Sequence, residues 1–248
     1  VVVASFFTVS IAKTPPSDYL PDRLDRGGRR GDVYGYVFLP WETLMTSGVA
    51  GPYMDLVSEA LDFCYVHAQW SVIGLDNETL NENYLGNLTQ FIRGLGERGT
   101  KVVVHVWVSS YTPSWMYSFV PELEGTGDRW DGIDPNTSNQ TSLMHRKTLK
   151  NSMVHFQKML CQYFVDAGVK ENITGWCLDD ETQSDNWTDF FSDITNTIHS
   201  YDEDWETMVM FNRIDQYHVT KDAGLDVHAM DPYNEDGKFV EKIHYGYE

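Results

Sequence analysis

The segment Thr174-Gly-Trp-Cys-Leu-Asp-Asp-Glu181 ends in three carboxyls after a run that reads as a β-strand. On a regular strand, side chains two positions apart share a face at a separation of about 6.6 Å. That spacing predicts Cys177, Asp179 and Glu181 on one side, with Leu178 and Asp180 on the other. Two carboxyls on one face couple, because ionising the first makes the second harder to ionise. A carboxyl that keeps its proton at neutral pH is equipped to act as a general acid. A solvated acidic turn is the plainer reading of the same residues, and so acidic a chain offers many such turns.

Carboxyls do chemistry only where secondary structure holds them, and the hydrophobic periodicity supplies the elements. Strand-like apolar runs occupy 33–39, 63–68, 101–108, 173–179, 207–212 and 225–231. Helical spacing covers 53–61 after Gly51-Pro52, 85–95 before Gly96 and Gly99, 143–166 before Gly168, and 190–199. In the third of these, Met153, Phe156, Met159, Leu160, Tyr163 and Phe164 form an apolar stripe expected to face a core. A long loop is expected over 109–142. Strand and helix alternate throughout, which predicts an α/β fold with a parallel sheet closed as a TIM-type (β/α) barrel, incomplete at the C-terminus with six recognisable strands. Two regions follow: 1–31 as an N-terminal strand and linker containing Pro15-Pro16 and a basic glycine-containing stretch, and 32–248 as the barrel domain.

In such a barrel the reactive groups sit at the carboxyl ends of the strands. Those ends offer Trp41 and Glu42, His67 and Gln69, Trp107 and Ser109, Asp179 to Glu181, Asn212, and Asp231 with Tyr233. Polar and aromatic groups gathered on one rim suit a carbohydrate, whose hydroxyls lie at the ring edge and whose ring faces are apolar. Trp41, Gln69 and Trp107 are therefore candidate substrate-binding residues.

The 174–181 run resembles the Asp-Gly-x-Asp-x-Asp-x-Glu signature of glycoside hydrolase family 18, ending in Asp-Asp-Glu in the manner of its bacterial endo-β-N-acetylglucosaminidases. The likeness extends in order through Gly35-Tyr-Val37, Leu61-Asp-Phe-Cys-Tyr-Val-His-Ala68, Gly94-Leu-Gly-Glu-Arg-Gly-Thr-Lys-Val-Val-Val104, Met210-Phe-Asn212 and Asp231-Pro-Tyr233. The resemblance implies a hydrolase of N-acetylglucosamine-containing glycans or glycoproteins, working by substrate-assisted retaining catalysis without a cofactor. It implies that Glu181 protonates the leaving oxygen, Asp179 orients the 2-acetamido group and Tyr233 hydrogen-bonds the acetamido oxygen, with Asn212 and Asp231 lining the site. Thr174 and Cys177 stand where that signature has Asp, and a thiol cannot act as a carboxylate relay. The alternative function is accordingly a catalytically impaired glycan-binding or structural surface protein on the same fold. A third reading, a retaining glycosidase of another barrel family pairing Glu181 with a Glu on a later strand, requires a strand that is not recognisable in the sequence.

Composition limits the partners. The 18 Lys and Arg against 37 Asp and Glu leave a formal charge of −19, which repels nucleic acid. The apolar opening of 12 residues is shorter than the roughly 20 needed to span a membrane. Its first ten residues are expected to complete the barrel or to pair with another chain in self-assembly. Sequons at Asn77, Asn87, Asn136, Asn139, Asn172 and Asn186 point to a secreted or cell-surface protein. Cys64, Cys161 and Cys177 fit neither a zinc spacing nor a disulfide framework, so no metal is expected.

Overall fold

The computed structural model of the chain describes residues 34–37, 50–108, 111–124, 138–182, 187–211 and 222–230; the side chains of 34–37, 60, 180–182, 211 and 228–230 are outside that description. Six strands run through it: β1 (Tyr34–Val37), β2 (Phe63–His67), β3 (Lys101–His105), β4 (Ile173–Thr182), β5 (Glu206–Phe211) and β6 (Val227–Met230). All neighbours pair in parallel, and the spatial order is the order of the sequence. A doubly wound sheet reverses direction at a switch point, whereas this one winds one way only, as a barrel sheet does.

Both faces of the sheet are covered, as a parallel sheet requires. Tyr65, Val103 and Cys177, one each from β2, β3 and β4, form a small cluster on one face with Met208 and Met210 of β5, and Val227 of β6 packs against it. Their neighbours Val66, Val102, Val104, Trp176, Leu178 and Val209 belong to the larger cluster built with the helices. The period-two alternation thus divides the barrel interior from the helical layer. Cys177 lies inside and Leu178 outside, as expected.

The helices are α1 (Ala50–Ala60), α2 (Trp70–Ile73), α3 (Glu82–Gly96), α4 (Gln140–Asp166) and α5 (Thr188–His199). They deliver Leu88, Phe91, Phe156, Phe164, Phe190 and Ile194 to the outer cluster. Each such side chain contributes about 1.5–3 kcal/mol by leaving water. Asn81 starts α3 by accepting from the Tyr84 amide at 3.1 Å, and Asn139 starts α4 by accepting from the Thr141 amide at 2.9 Å. Gly168, at φ +68°, takes the left-handed turn that ends α4, a conformation costly for other residues. The two last helices are clamped together. The Arg146 guanidinium lies over the rings of Trp187 and Phe190 at 4.6 and 4.9 Å, and Lys150 bridges Asp189 and Asp193 at 3.2 and 2.7 Å.

Several expectations shift. The connection after β3 is shifted rather than shortened: β3 ends at His105 and α4 begins at Gln140, so it runs over 106–139 instead of 109–142, and it contains 3₁₀ turns at Ser114–Ser118 and Pro121–Leu123. The short α2 escapes a periodicity window because four residues make barely one turn. The last strand starts at Val227 rather than at 225, and Asp226 instead pins β5 by accepting from the Thr207 amide and hydroxyl at 2.7 and 2.8 Å. The N-terminal strand, the 31/32 boundary and any repair of the barrel by residues 1–10 lie outside the described residues. Among those described, no helix is long and apolar enough to cross a membrane.

Candidate active site

The carboxyl ends of β2, β3 and β4 lie at the same end of the sheet, because the strands are parallel; His67 pairs with His105 and His105 with Cys177, beyond a register shift at Val102/Val103. Strand β4 brings Asp179 there, at 1% exposure, and carries the backbone of Glu181 two residues further on. The strand is not regular at this end. Its ladder with β5 runs Cys177 to Met208, Asp179 to Val209, Asp180 to Met210 and Thr182 to Phe211, so Leu178 and Glu181 are each passed over. Two irregularities in five residues interrupt the regular alternation from which Cys177, Asp179 and Glu181 were expected on one face. Bulges of this kind recur beside active sites, where they re-aim side chains.

Gly175, the glycine of the acidic motif, has a structural reason. A Cβ there would lie 2.8 Å from the Glu206 carbonyl oxygen, so its absence lets β4 approach β5. Cys177 is fully buried beneath the acidic end, and its thiol donates to the Asp179 carbonyl at 3.4 Å.

Histidines face each other from the last positions of β2 and β3, with His67 across from His105 and their rings 5.2 Å apart. Burial pulls the His67 imidazole down from 6.5 to about 4. His105 is held well below the ordinary imidazole range, by burial first and then by the neighbouring His67. The Trp107 indole N–H donates to His105 Nδ1 at 2.6 Å, which leaves the ring proton of the neutral imidazole on Nε2. His67, His105 and Trp107 thus form a three-ring wall, with Trp107 centred 5.4 and 5.0 Å from the two imidazoles. The backbone there is strained. Trp107 at φ 54° and Tyr111 at φ 56° both occupy the left-handed region, at a cost of about 1–2 kcal/mol each for a residue with a side chain.

Of the sequence-predicted residues, Asp179, Trp107 and Gln69 reach this end, together with the main chain of Glu181. Gln69 is half-buried and starts α2, its carbonyl accepting from the Val72 and Ile73 amides at 3.2 and 3.1 Å. Trp41, Asn212, Asp231, Tyr233 and the Glu181 side chain lie outside the described positions. His105 and Tyr111 were not singled out from the sequence. The parallel endings Tyr-Val-His67 and Val-Val-His105, each a histidine closing an apolar run, were the available signal for the first. Among the described residues, no group of three or more His, Cys, Asp or Glu side chains could hold a metal ion.

No family model matches the chain, and no curated protein matches it in sequence. Solved structures do match in fold. The chain superposes on GH5_18, a family 5 glycoside hydrolase from Streptomyces cattleya in complex with GlcNAc, with a TM-score of 0.52 at 12% identity over 73% of this chain and 45% of that one. The fold is similar to that of the barrel glycosidases. A β-galactosidase from Marinomonas ef1 gives 0.56 at 12% identity, over 81% and 40% of the two chains. An exo-β-1,4-mannosidase from Opitutaceae bacterium strain TAV5 gives 0.52 at 10% identity, over 72% and 31%. The chain therefore spans less than half the length of these enzymes. The likeness includes family 5 glycosidases and is not to family 18 specifically, which corrects the resemblance drawn from the acidic motif: a short carboxylate run at the end of a barrel strand does not separate one glycosidase family from another.

Proposed function

We propose that the chain carries the acidic rim of a hydrolase acting on N-acetylglucosamine-containing glycans or glycoproteins. The observation that carries this reading is Asp179, a carboxylate residue almost without solvent contact at the carboxyl end of β4, in a sheet similar to that of barrel glycosidases. Burying a carboxyl is costly unless it has work to do or partners to hold it, and strand ends on this face are where barrel enzymes keep reactive groups. The acetamido sugar as substrate is supported by the motif and by the GlcNAc bound to the Streptomyces cattleya enzyme.

In this reading Glu181 gives its proton to the glycosidic oxygen as the bond to the anomeric carbon breaks, and water later adds to that carbon while returning a proton to Glu181. Asp179 steadies the positive charge that develops at the sugar, directly or by orienting the 2-acetamido group. Tyr233, Asn212, Asp231 and Trp41 are proposed to complete the site, with Gln69 and Trp107 on its near wall. The net charge of −19 argues against nucleic acid as the polymer bound. Secretion or display at the cell surface is proposed from the density of sequons, and self-assembly through residues 1–10 remains part of the proposal.

A second reading has its own observation. Cys177 occupies a signature aspartate position, its thiol donates to the Asp179 backbone carbonyl, and a thiol cannot serve there as a carboxylate relay. That favours a glycan-binding protein with impaired catalysis. The deciding assay is release of glycan from a denatured glycoprotein, leaving a single N-acetylglucosamine on the protein. Wild type is expected to release it, Glu181→Gln to lose at least 100-fold in rate while still binding glycan, and Asp179→Asn to be similarly impaired. Equal release by wild type and Glu181→Gln rules out the mechanism; binding without release by the wild type selects the second reading.

A further inference from the structure

We propose that Trp107 and Tyr111 form a sugar-stacking wedge at this rim, in which the apolar face of a β-linked pyranose packs against the two rings. This deepens the glycan reading above and rests on it for the class of ligand.

Four observations converge. The ring centroids lie 4.6 Å apart with the planes tilted by 52°, so the pair forms an open wedge rather than a closed stack. Tyr111 is 38% exposed and Trp107 half-buried, although Val106 and Val108 on either side of Trp107 are fully buried. The backbone is anchored on both sides of the wedge. The amides of Val106 and Val108 donate to the Cys177 and Leu178 carbonyls at 3.0 and 2.7 Å, and the Tyr111 carbonyl accepts from the Ser71 amide at 2.8 Å. Both residues also hold left-handed backbone conformations that glycine or asparagine would adopt more readily. If only the turn mattered, an aromatic would be the wrong residue for either position.

The chemistry of the wedge follows from its hydrogen bonds. The one polar atom of Trp107 is already used on His105, so its indole offers a ligand only apolar ring surface. Pyranoses with equatorial substituents present C–H groups on a face, and these pack on an aromatic ring much as other apolar surfaces do. The position is apt, since His105 is the β3 partner of Cys177, two residues before Asp179. A sugar held on the wedge therefore lies beside the strand that carries the carboxyls.

The test is a fluorescence titration of the full chain with the β-1,4-linked trimer of N-acetylglucosamine, and in parallel with cellotriose, which has the same backbone without acetamido groups. Tyr111→Ala is expected to weaken binding of the N-acetylglucosamine trimer about tenfold or more, Tyr111→Phe to bind within about twofold of wild type, and Trp107→Phe to lose most of the fluorescence response. A retained circular dichroism spectrum excludes misfolding, and Tyr111→Phe serves as the variant that preserves the ring. Wild-type binding lost in Tyr111→Ala, with no hydrolysis by any variant, upholds the wedge while the hydrolase reading fails. Hydrolysis with the same KM in wild type and Tyr111→Ala overturns the wedge while that reading stands. Failure of the wild type to bind either trimer overturns the wedge as well.

Discussion

His67 is a histidine kept uncharged by burial at the end of β2, with His105 and Trp107 as ring neighbours and the Tyr84 hydroxyl donating to its carbonyl. Its folded value of about 4 lies below the ordinary 6.5, so between those limits the unfolded chain binds a proton that the folded chain does not. Stability therefore rises with pH through this window: it is full above about 6.5 and falls as the pH drops towards 4, by about 3 kcal/mol for this one group. His105 acts in the same sense. Urea unfolding at pH 7 and pH 4.5 is expected to show a large loss of midpoint in wild type and a clearly smaller one in His67→Gln, and equal losses would show that His67 is not the group responsible. At this scale the sequence was half legible. Asp179 and Trp107 could be picked out by type and by position after a strand. Tyr111 could not, because nothing in a loop sequence reveals that its ring returns to Trp107, and the His105 to Trp107 hydrogen bond depends on a left-handed residue that only the folded backbone shows.

Strands and helices were the most legible feature, for a physical reason: each has one face in a core, and burial writes its period into the chain. Lys101-Val-Val-Val-His105 needs no context to be read as a buried strand. What the chain does not encode locally is the meeting of two strands. The irregularities at Leu178 and Glu181 appear in the pairing with β5, which an alternation argument made on β4 alone does not include. Gly175 belongs to the same interface. Gly175→Ala would place a methyl group 2.8 Å from the Glu206 carbonyl, closer than any unstrained contact allows, so the strands must part where the motif begins. The expected cost is about 1–3 kcal/mol. Denaturant unfolding measures it directly. A variant as stable as wild type would mean that β4 and β5 can separate freely, and the bulged acidic end would then owe little to this contact.

At the scale of the molecule, one-way strand order and two buried faces were foreseeable from alternation alone, while the glycosidase family was not, because many families place carboxyls at the same strand ends. The surface carries information that the sequons alone withhold. Each of the six matches the same three-residue pattern, yet the fold treats them differently. Asn77 lies on an exposed turn in which Asp76 accepts from the Glu78 amide at 2.8 Å, and Thr79 is exposed beside it. Asn139 is exposed too, and it caps α4 through Oδ1, so a glycan on its Nδ2 leaves the cap in place. Asn172 is the opposite case. It is half-buried, and its side chain packs against Gly96 so closely that a Cβ there would collide with it, so a sugar on its amide must disturb this contact with the end of α3. In the sequon of Asn87, Thr89 is buried and its hydroxyl donates to the Leu85 carbonyl at 2.6 Å inside α3. Asn136 and Asn186 are outside the described residues. Secreted from a eukaryotic host behind a leader peptide, the folded protein is expected to carry glycans at Asn77 and Asn139 and none at Asn172. Peptide mass spectrometry after enzymatic deglycosylation in heavy-oxygen water reads each position separately, and Asn77→Gln should remove one glycan's mass without loss of secretion. Full occupancy of Asn172 in a soluble, cooperatively unfolding protein would contradict the packing of α3 against the start of β4.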